Sequence, residues 1–494
     1  MADLNFMGAN DKPDVFAADK ASSLPEEPTP SSLHLSDAEE KVLSKAYRKL
    51  DLFFLTSITT IYWLNFLDRA NIGNARAAGM QVQLGLTNTE YSLCLTVTYI
   101  SFIFAEWPSV MFCKKFGFNI GLPALCVAWG LVCTFQGFVT SYGGLIAARF
   151  FLGACEGAIL PGSVAYLSEF YRRKSSGIRT SFFFSAIALA GAFSGLLAAA
   201  IVQMDGIGGK AGWRWIFFIE GAFTVGAGLF FLFVLPRDIQ SCRYLSQEQK
   251  DVVAKALAAE GFANEAHEKF SWAAAIAAMK APQVWFMTLI FFPAGATLFA
   301  IAYFAPTVVA SLGYTGTSIQ LMSVPPYACA FVLSLATSLI SDKTRMRGPF
   351  ALFWAAIAII GYAMWLGTTN QKVLYGALVL QVTGIYATAG LFGAWNANNI
   401  SPSYKRATGI VSGFITTNLG GILSTWLFPT TERPRYLRGT RTLLALACIM
   451  AGLIVCNILY LSYMNKKKAK LIREGQDDEY LGNGDKRLTF KYMI

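Results

Sequence analysis

Apolar runs of about 20 residues recur along the whole of this 494-residue chain. That is the length an α-helix needs to cross the hydrocarbon core of a bilayer. In lipid every backbone group must be paired within its own segment. Windows of this size give spans at roughly 51–75, 90–112, 119–139, 142–166, 179–203, 213–236, 284–311, 317–340, 348–367, 373–398, 407–429 and 441–464. Barrel strands would read instead as alternating stretches of about ten residues. The expected fold is an all-α polytopic membrane protein with 12 transmembrane helices in two six-helix halves. Charged residues make up only 14% of the sequence, against about 25% in soluble domains. That excludes a soluble globular protein and a disordered one.

The polar stretches divide the chain into a tail (1–50), a first half (51–236), a linker (237–283), a second half (284–464) and a second tail (465–494). Residues 1–35 are rich in Pro, Ser and Asp and read as disordered. Two capping-box patterns, Ser36 with Glu39 and Ser246 with Gln249, predict short helices before span one and in the linker. The net charge of +11 could suggest nucleic acid, but Lys and Arg gather in short clusters between apolar runs. Such clusters are Lys114 and Lys115, Arg172 to Lys174 with Arg179, Lys343 with Arg345 and Arg347, and Lys405 with Arg406. All fall on one side if both termini and the linker are cytoplasmic. Only the last outer loop is basic, with Arg433, Arg435, Arg438 and Arg441. No nucleic-acid partner is expected. A 6+6 plan suggests two parallel halves around a central substrate path.

Both histidines, His34 and His267, lie in polar segments, which leaves none inside the membrane as a proton relay or metal ligand. Seven of nine cysteines fall within apolar runs and no CxxC occurs, so they read as packing residues. Phosphate-binding, dinucleotide, zinc-protease and serine-hydrolase motifs are missing. No cofactor, no metal and no enzymatic activity are expected.

Six charged residues break the apolar runs: Asp68 and Arg69 in span one, Glu106 in span two, Arg149 and Glu156 in span four, and Glu220 in span six. Facing lipid, each would cost about 2.5–3.5 kcal/mol. They are expected to face protein or water and to pair. Asp68 and Arg69 are chain neighbours and point about 100° apart. Tyr62, Asn65, Arg69 and Ile72 share one stripe of span one. Arg149 and Glu156 share a face, about 10.5 Å apart along the axis. Asp68 and Glu156 are the expected proton-coupling carboxylates. Arg69 is expected to receive a substrate carboxylate beside Asn65 and Tyr62, with Arg149 in reserve. Glu106 and Glu220 read as gate or structural ion-pair residues, together with Asp342, Arg347 and Arg406.

The second half has no acid in its span cores. Its neutral polar and aromatic candidates for substrate binding are Tyr303, Tyr327, Gln381, Trp395, Asn396, Asn399 and Asn418. The alternative is that such groups hydrogen-bond between helices. Gly153 with Gly157, and Gly191 with Gly195, have the spacing that lets membrane helices approach closely.

These stretches resemble the major facilitator superfamily, and within it the fungal anion:cation symporter family of the allantoate permease type. That family also includes nicotinic acid and pantothenate permeases. Leu67-Asp68-Arg69-Ala70-Asn71-Ile72-Gly73-Asn74-Ala75 is like the family's DRxNxGxA. Further matches are Glu106-Trp107-Pro108-Ser109, Arg149-Phe150-Phe151-Leu152-Gly153 with Glu156-Gly157, and Val324-Pro325-Pro326-Tyr327. Asn418-Leu419-Gly420-Gly421-Ile422 completes them. The resemblance covers about 50–475 and is closest to the nicotinic acid permease branch. Val110 replaces the Asn common in relatives, and Lys174-Ser175 stands where they tend to carry a Glu. The resemblance implies proton symport of a small organic anion by alternating access, with Asp68, Arg69 and Glu156 in coupling and carboxylate recognition. A monomer is expected, in the plasma membrane or else a vacuolar or other internal one. The alternatives are an exporter of an acidic metabolite and a nutrient receptor.

Overall fold

The computed structural model describes residues 35–259, 279–401, 403–478, 480–481 and 484–494. The tail expected to be disordered, His34 and His267 lie outside the described residues, apart from Leu35.

Helix α1 (Asp37–Leu50) runs through a π-helical turn, Asp51–Leu55, into α2 (Thr56–Ala77), the first span. Spans two and three are α3 (Asn88–Phe116) and α4 (Phe118–Gln136). Span four is broken into α5 (Tyr142–Glu156) and α6 (Ile159–Phe170). Spans five and six are α7 (Arg173–Ile201) and α8 (Gly212–Val234), and α9 (Gln247–Ala259) belongs to the linker. The second half consists of α10 (Pro282–Ser311), α11 (Thr317–Thr344), α12 (Gly348–Gly367), α13 (Gln371–Asn398), α14 (Ser403–Ser424) and α15 (Leu437–Arg473). Eleven of the spans are long and apolar enough to cross a membrane on the described residues, and α14 stands at the remaining one.

Helix packing follows one rule. In the first half, span one packs on five and six, two on four, and three on six. In the second half, seven packs on eleven and twelve, eight on ten, and nine on twelve. Adding six to each number converts the first set into the second. The seam obeys the same rule: one meets seven, two meets eleven, and five meets eight. Two parallel repeats related by a pseudo-two-fold axis give this pattern. At the seam, a Cβ on Gly191 would stand 2.5 Å from the Tyr327 ring, and one on Gly195 2.8 Å from the Gln320 carbonyl oxygen. The second glycine pair therefore joins the halves.

Both expected capping boxes form. Ser36 and Glu39 close the start of α1. Ser246 and Gln249 exchange bonds of 3.2 and 3.3 Å at α9. α1 and α9 pack together through Leu43, Ala46, Val253 and Ala256, with Lys255 2.7 Å from Glu39. The basic loop before α15 also has a structural explanation. Arg435 donates to the carbonyls of Trp365, Leu366 and Thr368 at 3.1, 3.1 and 2.7 Å. It satisfies the end of α12, where the last carbonyls of a helix lack partners.

The second tail differs from the expectation of a plain polar tail at 465–494. α15 continues to Arg473, and residues 484–494 fold back under the second half. Asp485 is buried and lies 2.7 Å from Lys405, and it accepts from Gln283 at 2.7 Å. Lys468 donates to the Asp485 and Phe490 carbonyls at 2.6 and 2.8 Å. Leu488 and Tyr492 are buried, so the segment joins the ends of α10, α14 and α15.

Candidate functional site

The two halves enclose a cavity of about 730 Å3, counted out to its open mouth. α2 contributes Tyr62, Asn65, Phe66 and Arg69, at i, i+3, i+4 and i+7 on one helix face. α3 adds Phe102 and Glu106, α6 Leu160 and Pro161, and α7 Phe184 and Ile187. The second half supplies Phe291, Leu298 and Phe299 of α10, Phe392 of α13, and Phe414, Thr417 and Asn418 of α14. The side away from α1 and α9 is closed across the seam. Tyr303 donates to Tyr99 at 2.9 Å, the Thr96 and Thr425 hydroxyls meet at 2.9 Å, and Ser92 donates to the Thr425 carbonyl at 2.8 Å. The cavity therefore faces the side that carries α1 and α9.

Local sequence chemistry sets the acidic groups in place. Pro161 has no N–H to bond back to the Gly157 carbonyl, and the hydrogen-bond ladder of span four is interrupted at Gly157 and Ala158, although both keep right-handed helical backbone. Glu156 sits beside that interruption in a span that runs from Tyr142 to Phe170. A Cβ on Gly157 would stand 2.9 Å from the Glu106 amide nitrogen, so span four lies flush on span two. Glu106 is thus held level with Glu156.

Arg69 Nε lies 3.1 Å from Glu156 Oε2, and Arg69 is 6% and Glu156 0% exposed. The guanidinium also faces three rings, with Phe102 at 4.8 Å and Phe66 and Phe299 at 5.4 Å from their centroids. The aromatic faces favour a cation by about 0.5–2 kcal/mol each. Buried pairs of this kind lose about 3–5 kcal/mol when one partner is removed.

Asp68 points the other way, into the first half. Its carboxylate accepts from Trp129 Nε1 at 2.8 Å, Asn71 at 3.2 Å, Cys133 at 3.4 Å and Thr224 at 3.5 Å. It does not line the cavity. Arg149 is buried without lining the cavity; its Nε and Nη2 have no hydrogen-bond partner among the described residues. Neither carboxylate oxygen of Glu106 or Glu220 has one either. The ion pairs expected of these two glutamates do not form among the described residues. Glu106 faces the cavity, while Glu220 is buried in α8. Asp342 and Arg347 do pair. Arg406 forms no ion pair among the described residues, and its Nε and Nη2 are buried without partners.

Of the neutral candidates in the second half, only Asn418 lines the cavity. Tyr327 donates to the Ile301 carbonyl at 3.2 Å, Gln381 to Gly361 at 3.1 Å and Asn396 to Gly409 at 3.1 Å. Trp395 and Asn399 both donate to the Met493 carbonyl, at 3.0 and 2.9 Å. Tyr303 serves the closure described above. These groups tie helices together, which is the alternative reading of their chemistry. The phenylalanine walls carry no distinctive sequence signal. Phe102 lines the cavity, whereas Phe104, two residues on, is 78% exposed on the outer surface of the helix bundle.

The sequence profile described as Major Facilitator Superfamily matches residues 58–425. The chain belongs to the major facilitator superfamily. It is an integral membrane transporter, and its relatives are transporters too. An uncharacterized transporter of Schizosaccharomyces pombe is 34% identical, over 93% of this chain and 92% of that protein. The high-affinity nicotinic acid transporter of Saccharomyces cerevisiae is 28% identical, over 98% and 91%. Among solved structures, a bacterial homologue of the human lysosomal transporter Spinster, inward-facing and occupied, superimposes with a TM-score of 0.61 at 17% identity. That match covers 82% of this chain and 96% of the other. The partially occluded inward-open xylose transporter of E. coli gives 0.60 at 14% identity, over 80% and 96%. These two likenesses establish the fold.

Proposed function

We propose that this transporter carries a small organic monocarboxylate together with one proton by alternating access. The observation that carries the proposal is Arg69 in the wall of a largely apolar cavity, paired behind that wall with the fully buried Glu156. A guanidinium stays charged at physiological pH and holds a carboxylate in a two-pronged geometry. An entering carboxylate takes the place of Glu156 on Arg69. Glu156 is fully buried, and a lone charged carboxylate there is strongly unfavourable. It takes up a proton instead. Substrate and proton thus occupy the site together, and the loaded site carries the same net charge as the empty one. A monoanion moving with one proton is electroneutral, so the pH difference drives it, at about 1.4 kcal/mol per unit.

Asn65 and Asn418 offer hydrogen bonds to the substrate from opposite halves. Asp68, satisfied from behind the cavity, holds α2 in register rather than meeting the substrate. The Lys and Arg bias favours a cytoplasmic α1 and α9, which opens the cavity inward; import is the direction in which an inward proton gradient drives the coupled cycle. The nicotinic acid transporter of yeast supports a vitamin-like aromatic carboxylate as cargo.

Uptake into liposomes containing the purified protein tests this. A panel of nicotinate, pantothenate, allantoate, sugar acids and aromatic acids is offered with an imposed pH gradient. At least one monocarboxylate is expected to accumulate when the outside is acidic, with no response to an imposed potential. Movement of neutral sugars or cations alone would overturn the proposal.

A further inference from the structure

We propose that Glu106 is a second recognition group in the cavity, and that the cargo is a flat ring acid bearing an N–H group at the end away from its carboxylate. This rests on the reading that Arg69 receives the carboxylate. Glu106 is 7% exposed, lines the same cavity as Arg69, and keeps both carboxylate oxygens buried with no hydrogen-bond partner. Buried polar groups are almost always satisfied, and this one belongs to a residue that lines the cavity where a ligand would sit.

Spacing selects the ligand. Phe102 and Glu106 are four residues apart on α3, hence on one face and about 6 Å apart along the axis. The Phe102 ring faces the Arg69 guanidinium at 4.8 Å. Guanidinium, ring and carboxyl group therefore follow one another along the cavity wall, an order that a six-membered ring with a substituent at each end can match. A ligand with a carboxylate at one end, a flat apolar middle and a nitrogen donor at the other fits all three. Phe299 supplies an apolar wall from the second half.

Charge selects it further. Among the described residues the cavity wall carries one cation, Arg69, and one acid, Glu106, and Arg69 is already paired with Glu156 behind the wall, which leaves Glu106 over. A dicarboxylate would bury its second negative charge beside Glu106, where no cation among the described lining residues is free to offset it. A polyhydroxylated sugar would meet mostly phenyl rings.

The test uses four matched acids as competitors for binding to the purified full chain: benzoate, 4-aminobenzoate, 4-(aminomethyl)benzoate and terephthalate. The wild type is expected to prefer the two nitrogen-bearing acids to benzoate by about tenfold or more and to exclude terephthalate. Glu106→Leu should erase that preference, and Glu106→Lys should shift it toward terephthalate. Glu106→Gln, which preserves the shape, should keep 4-aminobenzoate but lose the charged aminomethyl acid. Melting temperature checks that each variant folds. If benzoate equals the nitrogen acids in the wild type and Glu106→Leu leaves the ratios unchanged, the inference is overturned while the Arg69 reading stands. If no ring acid binds and Arg69→Lys alters nothing, the underlying reading falls as well.

Discussion

Arg69 is held by one carboxylate oxygen and three phenyl rings, at the point where the two halves face each other. Its planar fork matters as much as its charge. Lysine keeps the charge but presents a point donor. Arg69→Lys is expected to weaken carboxylate binding by at least about tenfold, or 1.4 kcal/mol, while the protein still reaches the membrane. Ligand competition on the purified variant measures this; wild-type affinity would remove Arg69 from the site. The sequence singled out Arg69 and Glu156 through the unfavourable energy of charge in lipid. It did not pair them, because 87 residues separate the two and Asp68 and Arg149 were equally available. Asp68 is satisfied by groups from three other positions in α4 and α8, and nothing in its local sequence announces them.

At the scale of elements, Pro161 interrupts the hydrogen bonding of span four beside Glu156. Pro161→Ala restores an N–H that can bond back to the Gly157 carbonyl, and proline inside a helix is unfavourable by about 3 kcal/mol. The variant is expected to keep or raise its melting temperature while uptake falls, because the restored bond stiffens the turn beside Glu156 that the exchange on Arg69 must let move. Unchanged uptake in a stable variant would show that the break is incidental. The spans themselves were legible because long apolar runs have only one solution in lipid. Capping boxes were legible for a similar reason, since Ser36 with Glu39 is a local device. Cavity walls were not, because a phenylalanine facing lipid and one facing substrate look alike. Gln381, Asn396 and Asn399 look like substrate groups in the sequence because nothing local shows that the carbonyls of Gly361, Gly409 and Met493 claim them.

For the whole molecule, the segment 484–494 fastens the ends of several second-half helices on the side where the cavity opens. Its alternation of Leu488, Phe490 and Tyr492 with polar residues is a signal that reading it as a polar tail passed over. Asp485→Ala leaves buried Lys405 without its carboxylate, a change of about 3–5 kcal/mol. The melting temperature of the purified protein should fall clearly, and less so for Asp485→Asn. No change in either variant would mean that the segment is only loosely docked. Topology is checked separately: a cysteine placed at Ser246, near the start of α9, should resist labelling from outside intact cells, and modification there would invert the assignment.

Exchange of Glu156 for a substrate carboxylate on Arg69 is the central claim, and it has a direct readout. Saturating the purified transporter with its carboxylate in weakly buffered solution, beside a pH indicator, counts protons taken up per ligand bound. The wild type should take up close to one proton near neutral pH, and its affinity should tighten by up to about tenfold per unit of acidification. Glu156→Gln should bind ligand with no proton uptake and no such pH dependence. Proton uptake that persists in Glu156→Gln, or wild-type binding without any, would contradict the account.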